Sequence, residues 1–260
     1  MKKKYFKNLE EAIRKTEKLF KKGYTVNIQQ KEKIPEGPGV VIANHFNYLD
    51  PLFVLYSVAK ETKRKPHPIV KQELLRMPIA RKYMQLCEAI ATPRPKKGEK
   101  ITKEDIKRLK NEIKNYLEKG ELIYLAYSGT RTGRYHNFWL NEEALEKELE
   151  LARQNTGIIG LIHKMHIKNL WIMPVAIDTY EKDSSKIFGK MLLGDLGLFI
   201  YLNKKPIDII FGKPRFLEDA LNAETKQELM EEITKEIFEL RKKNHEKYLE
   251  DDSRSLEKYL

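Results

Sequence analysis

The sequence lacks most of what would make it secreted, metal-stapled or membrane-spanning. It carries one cysteine, Cys87. No disulfide can close within the chain, a reducing compartment is the simplest setting, and a multi-cysteine zinc ribbon is excluded. The longest apolar runs, such as Leu170 to Ile177 and Leu52 to Tyr56, fall far short of the roughly 18 to 20 residues that cross a bilayer. Any contact with a membrane is therefore expected from its surface. The opening stretch Met1-Lys2-Lys3-Lys4-Tyr5-Phe6-Lys7 meets Glu10 and Glu11 before any apolar run, unlike a secretory signal. The expected place is the cytoplasm, with the inner face of the membrane as a peripheral alternative.

What is present is enough for a large core. A chain of 260 residues with 41% hydrophobic content suits one large domain, or a domain with a small helical appendage. A formal net charge of +12 points to an anionic partner: nucleic acid, an anionic bilayer surface, a phosphorylated substrate or an acidic carrier protein.

Phe6, Leu9, Ile13 and Phe20 fall near helical spacing among lysines, which predicts an amphipathic helix over residues 5–21, either packed on the domain or lying on a lipid surface. Composition hints at a boundary around Gln29 to Gly37, giving an N-terminal segment, 1–30, and an α/β domain, 31–260. Strands are expected at Tyr24 to Ile28, Gly39 to Ala43, Pro68 to Lys71, Ala89 to Thr92, Glu121 to Ala126, Leu170 to Ile177 and Pro206 to Phe211. Asp50-Pro51 opens a helix through about Ala59. Thr102 caps another, with Ile106, Leu109, Ile113, Tyr116 and Leu117 as its buried face and Gly120 as its stop. Asn141 caps a helix ending near Gly157, Ile158 to Met165 form a shorter one, and Leu229, Ile233, Ile237 and Leu240 mark a C-terminal helix. Strands alternating with helices imply an α/β fold with a mixed, mostly parallel central sheet flanked by helices. Ligands of such sheets collect at loops after strand C-termini, where His45, Arg94 and Ser128 to Arg134 fall.

The run Gly39 to Pro51, GVVIANHFNYLDP, passes from an apolar strand into His45 and reaches Asp50 five residues later. A neutral imidazole takes a proton from a hydroxyl, and a carboxylate on its other nitrogen fixes the tautomer and stabilises the cation formed. The plainer alternative is an Asp50 cap beside a solvent-facing histidine. His163 and His166 could share a helix face but lack a third metal ligand, and no metal is expected. His67, between two prolines, reads as a loop residue, and Cys87 as a small core residue. Met191 to Tyr201 is apolar and glycine-containing, either packed or lining an acyl groove or membrane interface.

The block Asn44-His45-x4-Asp50 resembles the Asn-His-x4-Asp motif of the glycerolipid acyltransferases, the superfamily of glycerol-3-phosphate and lysophosphatidate acyltransferases. Val70-Lys71-Gln72-Glu73-Leu74 with Pro78, Ala91-Thr92-Pro93-Arg94, Ser128-Gly129-Thr130-Arg131, Met173 to Ile177 and Phe211 to Pro214 are similar to its further blocks, in order. Ser128 stands where most lysophosphatidate enzymes carry glutamate. "AYSGTRTGR" is closer to the soluble, plastid-type glycerol-3-phosphate acyltransferases.

The resemblance implies the glycerol-3-phosphate acyltransferase fold and direct acyl transfer from acyl-CoA or acyl carrier protein to glycerol 3-phosphate, with no other cofactor. It makes His45 the general base and Asp50 its orienting carboxylate, supported by Asn44, Lys71 and Glu73. It assigns the acceptor phosphate to Arg94, Ser128, Gly129, Thr130 and Arg131, with Arg134, Lys96 and Lys97 nearby; for the two lysines a solvated loop is an equal alternative. Lysophosphatidate is the alternative acceptor. A non-catalytic basic protein binding lipid or nucleic acid is the rival from another class, but no basic recognition helix or aromatic-basic strand face supports nucleic acid.

Overall fold

A computed structural model describes residues 9–20, 25–30, 32–45, 50–76, 84, 87–93, 101–129, 140–178 and 207–257. Its strands are β1 (Val26–Gln30), β2 (Gly39–Ala43), β3 (Pro66–Lys71), β4 (Ile90–Thr92), β5 (Leu122–Ala126), β6 (Trp171–Asp178), β7 (Ile207–Phe211) and β8 (Arg215–Phe216). Its helices are α1 (Leu9–Phe20), α2 (Asp50–Thr62), α3 (Lys103–Leu117), α4 (Glu142–Gln154), α5 (Gly157–His163), α6 (Leu217–Ala223) and α7 (Lys226–Glu257), with a 3₁₀ turn at Gln72–Arg76. No described helix is long and apolar enough to cross a membrane.

The strands form one sheet in the order β1-β7-β6-β2-β5-β3-β4, with β8 paired to β6. The pairs β2–β5, β2–β6, β3–β5, β3–β4 and β1–β7 are parallel; β6–β7 and β6–β8 are antiparallel. The mixed, mostly parallel sheet is therefore present. It includes Val26–Gln30 as an edge strand, so it draws on residues either side of position 30.

Every residue of β2 is buried, as expected of an apolar run covered on both faces. Val41 and Ala43 face Phe53, Val54 and Val58 of α2. Val40 and Ile42 face the opposite layer, where Leu109, Ile113, Ala152, Ile159, Ile233 and Ile237 bring in α3, α4, α5 and α7. Gly39 is required by close approach: a Cβ there would lie 2.2 Å from the Trp171 indole. The stretch before it is tied down by Arg64, whose guanidinium donates to the carbonyls of Gly37 and Pro35, and by Trp171 Nε1, which donates to Glu36. α1 packs through Ile13 and a Glu17–Lys60 ion pair of 3.4 Å to α2.

Several expectations are corrected. Ile106 is 45% exposed, because the first turn of α3 lies outside the cluster that Leu109, Ile113 and Leu117 join. α2 runs beyond Ala59 to Thr62, whose hydroxyl donates to the Val58 carbonyl. His67 is no loop residue: it is fully buried in β3, with Nε2 2.6 Å from Glu121 and the ring 3.6 Å from Tyr116. His166 lies past the end of α5 at φ +50°, so it does not share that helix's face with His163. The short β8 and α6 were not anticipated. Met191 to Tyr201 lies outside the described residues.

Candidate functional site

Strands β2 to β6 run parallel, so their C-terminal ends open on one edge of the sheet, with β2 flanked there by β5 and β6. The β2–β6 register ends at Ala43 and Val175, and Asn44 extends the pairing with its side chain. Its fully buried amide donates to the Ile177 carbonyl and accepts from the Ile177 N–H, each at 2.8 Å. An amide used this way copies a backbone peptide. It pins the chain immediately before His45.

His45 is 18% exposed in its side chain, and Asp50, in the first turn of α2, only 1%. Nδ1 of His45 lies 3.9 Å from Oδ2 of Asp50. That is ion-pair range and longer than a formed hydrogen bond, the looseness common before substrate closes a site. Asp50 stands at the N-terminal end of α2, the positive end of the helix dipole. Beneath it, on β5, burial pushes the Tyr124 phenol pKa up, and the charge of Asp50 adds to the rise.

The second wall is the turn after β5. Tyr127 N–H donates to the Ala43 carbonyl at 3.2 Å, continuing the ladder past the Ala43–Ala126 pair. Two residues beyond that pair are His45 and Ser128, the latter 2% exposed. Asn155, just after α4, donates to the Ser128 carbonyl at 3.1 Å and the Leu151 carbonyl at 2.7 Å. Gly129 has φ +59°, and a Cβ would lie 2.5 Å from Asn155 Oδ1. The turn is anchored from below by a buried triad: Tyr127 donates to Glu148, which also accepts from Arg241 at 3.1 Å.

Lys71 ends β3 and Glu73 sits in the following 3₁₀ turn, exposed. They lie two strand spacings from β2, about 10 Å, on the same edge. The structure thus brings Asn44, His45, Asp50, Ser128, Gly129, Lys71 and Glu73 to one edge. Arg94, Lys96, Lys97, Thr130, Arg131 and Arg134 lie outside the described residues.

Asn155, Glu148, Arg241 and Tyr124 were missed from sequence. Glu148 and Arg241 could have been suspected as charges interrupting apolar helical stripes, Ala144-Glu148-Ala152 and Ile233-Ile237-Arg241. A second unforeseen network closes the far side of β6: Asn244 donates to Asp208 at 2.8 Å and Asp178 at 3.3 Å, and Asn27 donates to Asp208 at 2.8 Å. Among the described residues, no group of three His, Cys, Asp or Glu could hold a metal ion. A polar cavity of about 380 Å³, lined by residues including Lys33, Glu36, Glu61 and Arg64, lies at the opposite end of α2 and takes no part in this arrangement.

The Acyltransferase family model matches residues 25–178. Among solved structures, the chain is similar to the 1-acyl-sn-glycerophosphate (LPA) acyltransferase PlsC from Thermotoga maritima, at 16% identity and a TM-score of 0.48, over 92% of this chain and 84% of that one. No curated protein matches it.

Proposed function

The chain belongs to the Acyltransferase family, and from that premise we propose that it moves a fatty acyl group from an acyl thioester to a hydroxyl of glycerol 3-phosphate in phospholipid synthesis. The observation that carries this is His45 facing Asp50 across 3.9 Å at the end of the central strand. In this reading Nδ1 donates to the carboxylate and Nε2 takes the acceptor's hydroxyl proton. The alkoxide oxygen attacks the thioester carbonyl, the C–S bond breaks, and the thiolate leaves with the proton from the imidazolium. General-base help of this kind is worth about 10² to 10⁴ in rate.

Positioning has to supply much of the rest. Arg131 and Arg94, with Arg134, Lys96 and Lys97, hold the acceptor phosphate in this reading, because a guanidinium fork reads phosphate bidentately. Ser128 in place of glutamate favours glycerol 3-phosphate; the shared Gly129-Thr130-Arg131 keeps lysophosphatidate as the second acceptor. The donor is acyl-CoA or acyl carrier protein, and a net charge of +12 suits an acidic carrier or the anionic inner face of a membrane.

Purified protein assayed with labelled glycerol 3-phosphate or lysophosphatidate and each acyl donor tests the proposal. His45→Ala should lose about 10² to 10⁴ in kcat while keeping the wild-type circular dichroism. Arg131→Ala should mainly raise the acceptor KM. Full turnover in the His45 variant would sink the general-base mechanism, whereas a wild-type protein that turns over none of these substrates would leave the non-catalytic lipid-binding alternative.

A further inference from the structure

Strand β5 reads Leu122-Ile123-Tyr124-Leu125-Ala126, and a phenylalanine would fill the third position as well as a tyrosine does. Tyr124 is 3% exposed and packs in the cluster beneath α2 with Val41, Phe53 and Val54. Its hydroxyl is enclosed and meets no hydrogen-bond partner among the described residues. Such a group has given up hydration without recompense, which calls for an explanation. Its location supplies one. Tyr124 pairs with Val41 on β2, and strand alternation carries that same face through Ala43 to His45. Asp50 begins the helix covering this face, and its charge is felt at the phenol.

We propose that Tyr124 is a positioning residue for the His45–Asp50 pair: its hydroxyl donates to the Asp50 carboxylate and holds the oxygen that receives Nδ1–H of His45. The inference rests on the acyl-transfer reading for its kinetic consequence, but not for its structural one. The contact of His45 with the carboxylate is slack at 3.9 Å, and the Tyr124 hydroxyl has not closed on it. They tighten together when an acceptor hydroxyl reaches Nε2, as catalytic hydrogen bonds commonly do. A donor on Asp50 also takes up part of its negative charge, so removing that donor strengthens the carboxylate's pull on an imidazolium.

Tyr124→Phe removes one oxygen and no packing. Ser57→Ala is the control: Ser57, on α2, is likewise an enclosed hydroxyl with no partner among the described residues, and its seven-residue offset from Asp50 puts it about 10 Å away along the axis. In NMR of histidine-labelled full-length protein, with the His45 signal identified by His45→Ala, Tyr124→Phe should raise the His45 titration midpoint by about half a pH unit or more. The acidic limb of kcat/KM should rise equally, and kcat should fall about tenfold with the acceptor KM within about twofold. Ser57→Ala should move none of these.

A Tyr124→Phe protein with wild-type histidine titration, wild-type kcat and a higher melting temperature overturns the proposal, since that is how a hydroxyl merely stranded in a core behaves. If His45→Ala retains turnover, the general-base role of His45 fails, and the histidine titration alone still decides the place of Tyr124.

Discussion

Gly129 concentrates the demands placed on the site. Its φ of +59° is a conformation that side chains resist, and the Asn155 amide occupies the space a Cβ would take. Gly129→Ala must therefore either unwind the turn or push Asn155 off the Ser128 carbonyl. The combined strain is about 1 to 3 kcal/mol, or about 3 to 10 °C in melting temperature for a chain of this size. Calorimetry checks it, and an unchanged melting temperature would show that the turn is not held as described. The glycine itself was legible, since a Gly in a turn-rich loop after a strand announces an unusual backbone. Asn155 was not, because it stands 27 residues from Ser128 and nothing in its own neighbourhood distinguishes it from an ordinary helix-end asparagine. His45 and Asp50 were legible for the opposite reason: they are five residues apart, and Asp50-Pro51 is an N-terminal helix signal that puts the carboxylate in a first helical turn.

At the scale of elements, short apolar runs identified the strands well, because a strand covered on both faces has little choice of composition. The failures share a cause. Pro66 and Pro68 made the start of β3 look like loop, yet β3 pairs with β5 from Pro66 onward, and β8 is too short to show any period. Misreading β3 hid the contact that docks α3 to it: His67, stacked on Tyr116, with Nδ1 3.3 Å from the Glu88 carbonyl and Nε2 against Glu121. Burial lowers the His67 pKa below its ordinary 6.5, with Glu121 opposing. As pH falls, the unfolded chain takes up this proton first. The stability this provides is complete above about pH 6.5 and is lost as pH falls through that value towards the lower folded one. Urea midpoints measured from pH 8 to 5 should fall in the wild type and fall less steeply in His67→Gln. Identical slopes would remove His67 from the account.

Over the whole molecule, the order of the strands was beyond reach of sequence, since β1 meets β7 through pairs such as Asn27–Asp208, separated by 181 residues. That closure has a consequence for where the folding unit ends. The family match stops at residue 178, after β6 and with every described residue of the proposed site already present. A chain cut there would nonetheless lose β7, the only strand to which β1 pairs among the described residues, and α7 with it. Leu229, Met230, Ile233, Ile237 and Phe238 of α7 are all buried, and at about 1.5 to 3 kcal/mol each they contribute about 8 to 15 kcal/mol of apolar burial. That equals the entire net stability of a typical domain, about 5 to 15 kcal/mol. Removal of α7 also strips Arg241 from the buried Glu148, leaving a carboxylate enclosed under the Ser128 turn without its cation. A fragment of residues 1–178 should accordingly show no cooperative thermal unfolding and collapsed amide dispersion in NMR, although it holds His45, Asp50, Ser128 and Gly129. A fragment that melted cooperatively would mean that the site edge folds independently of the β1–β7 half of the sheet.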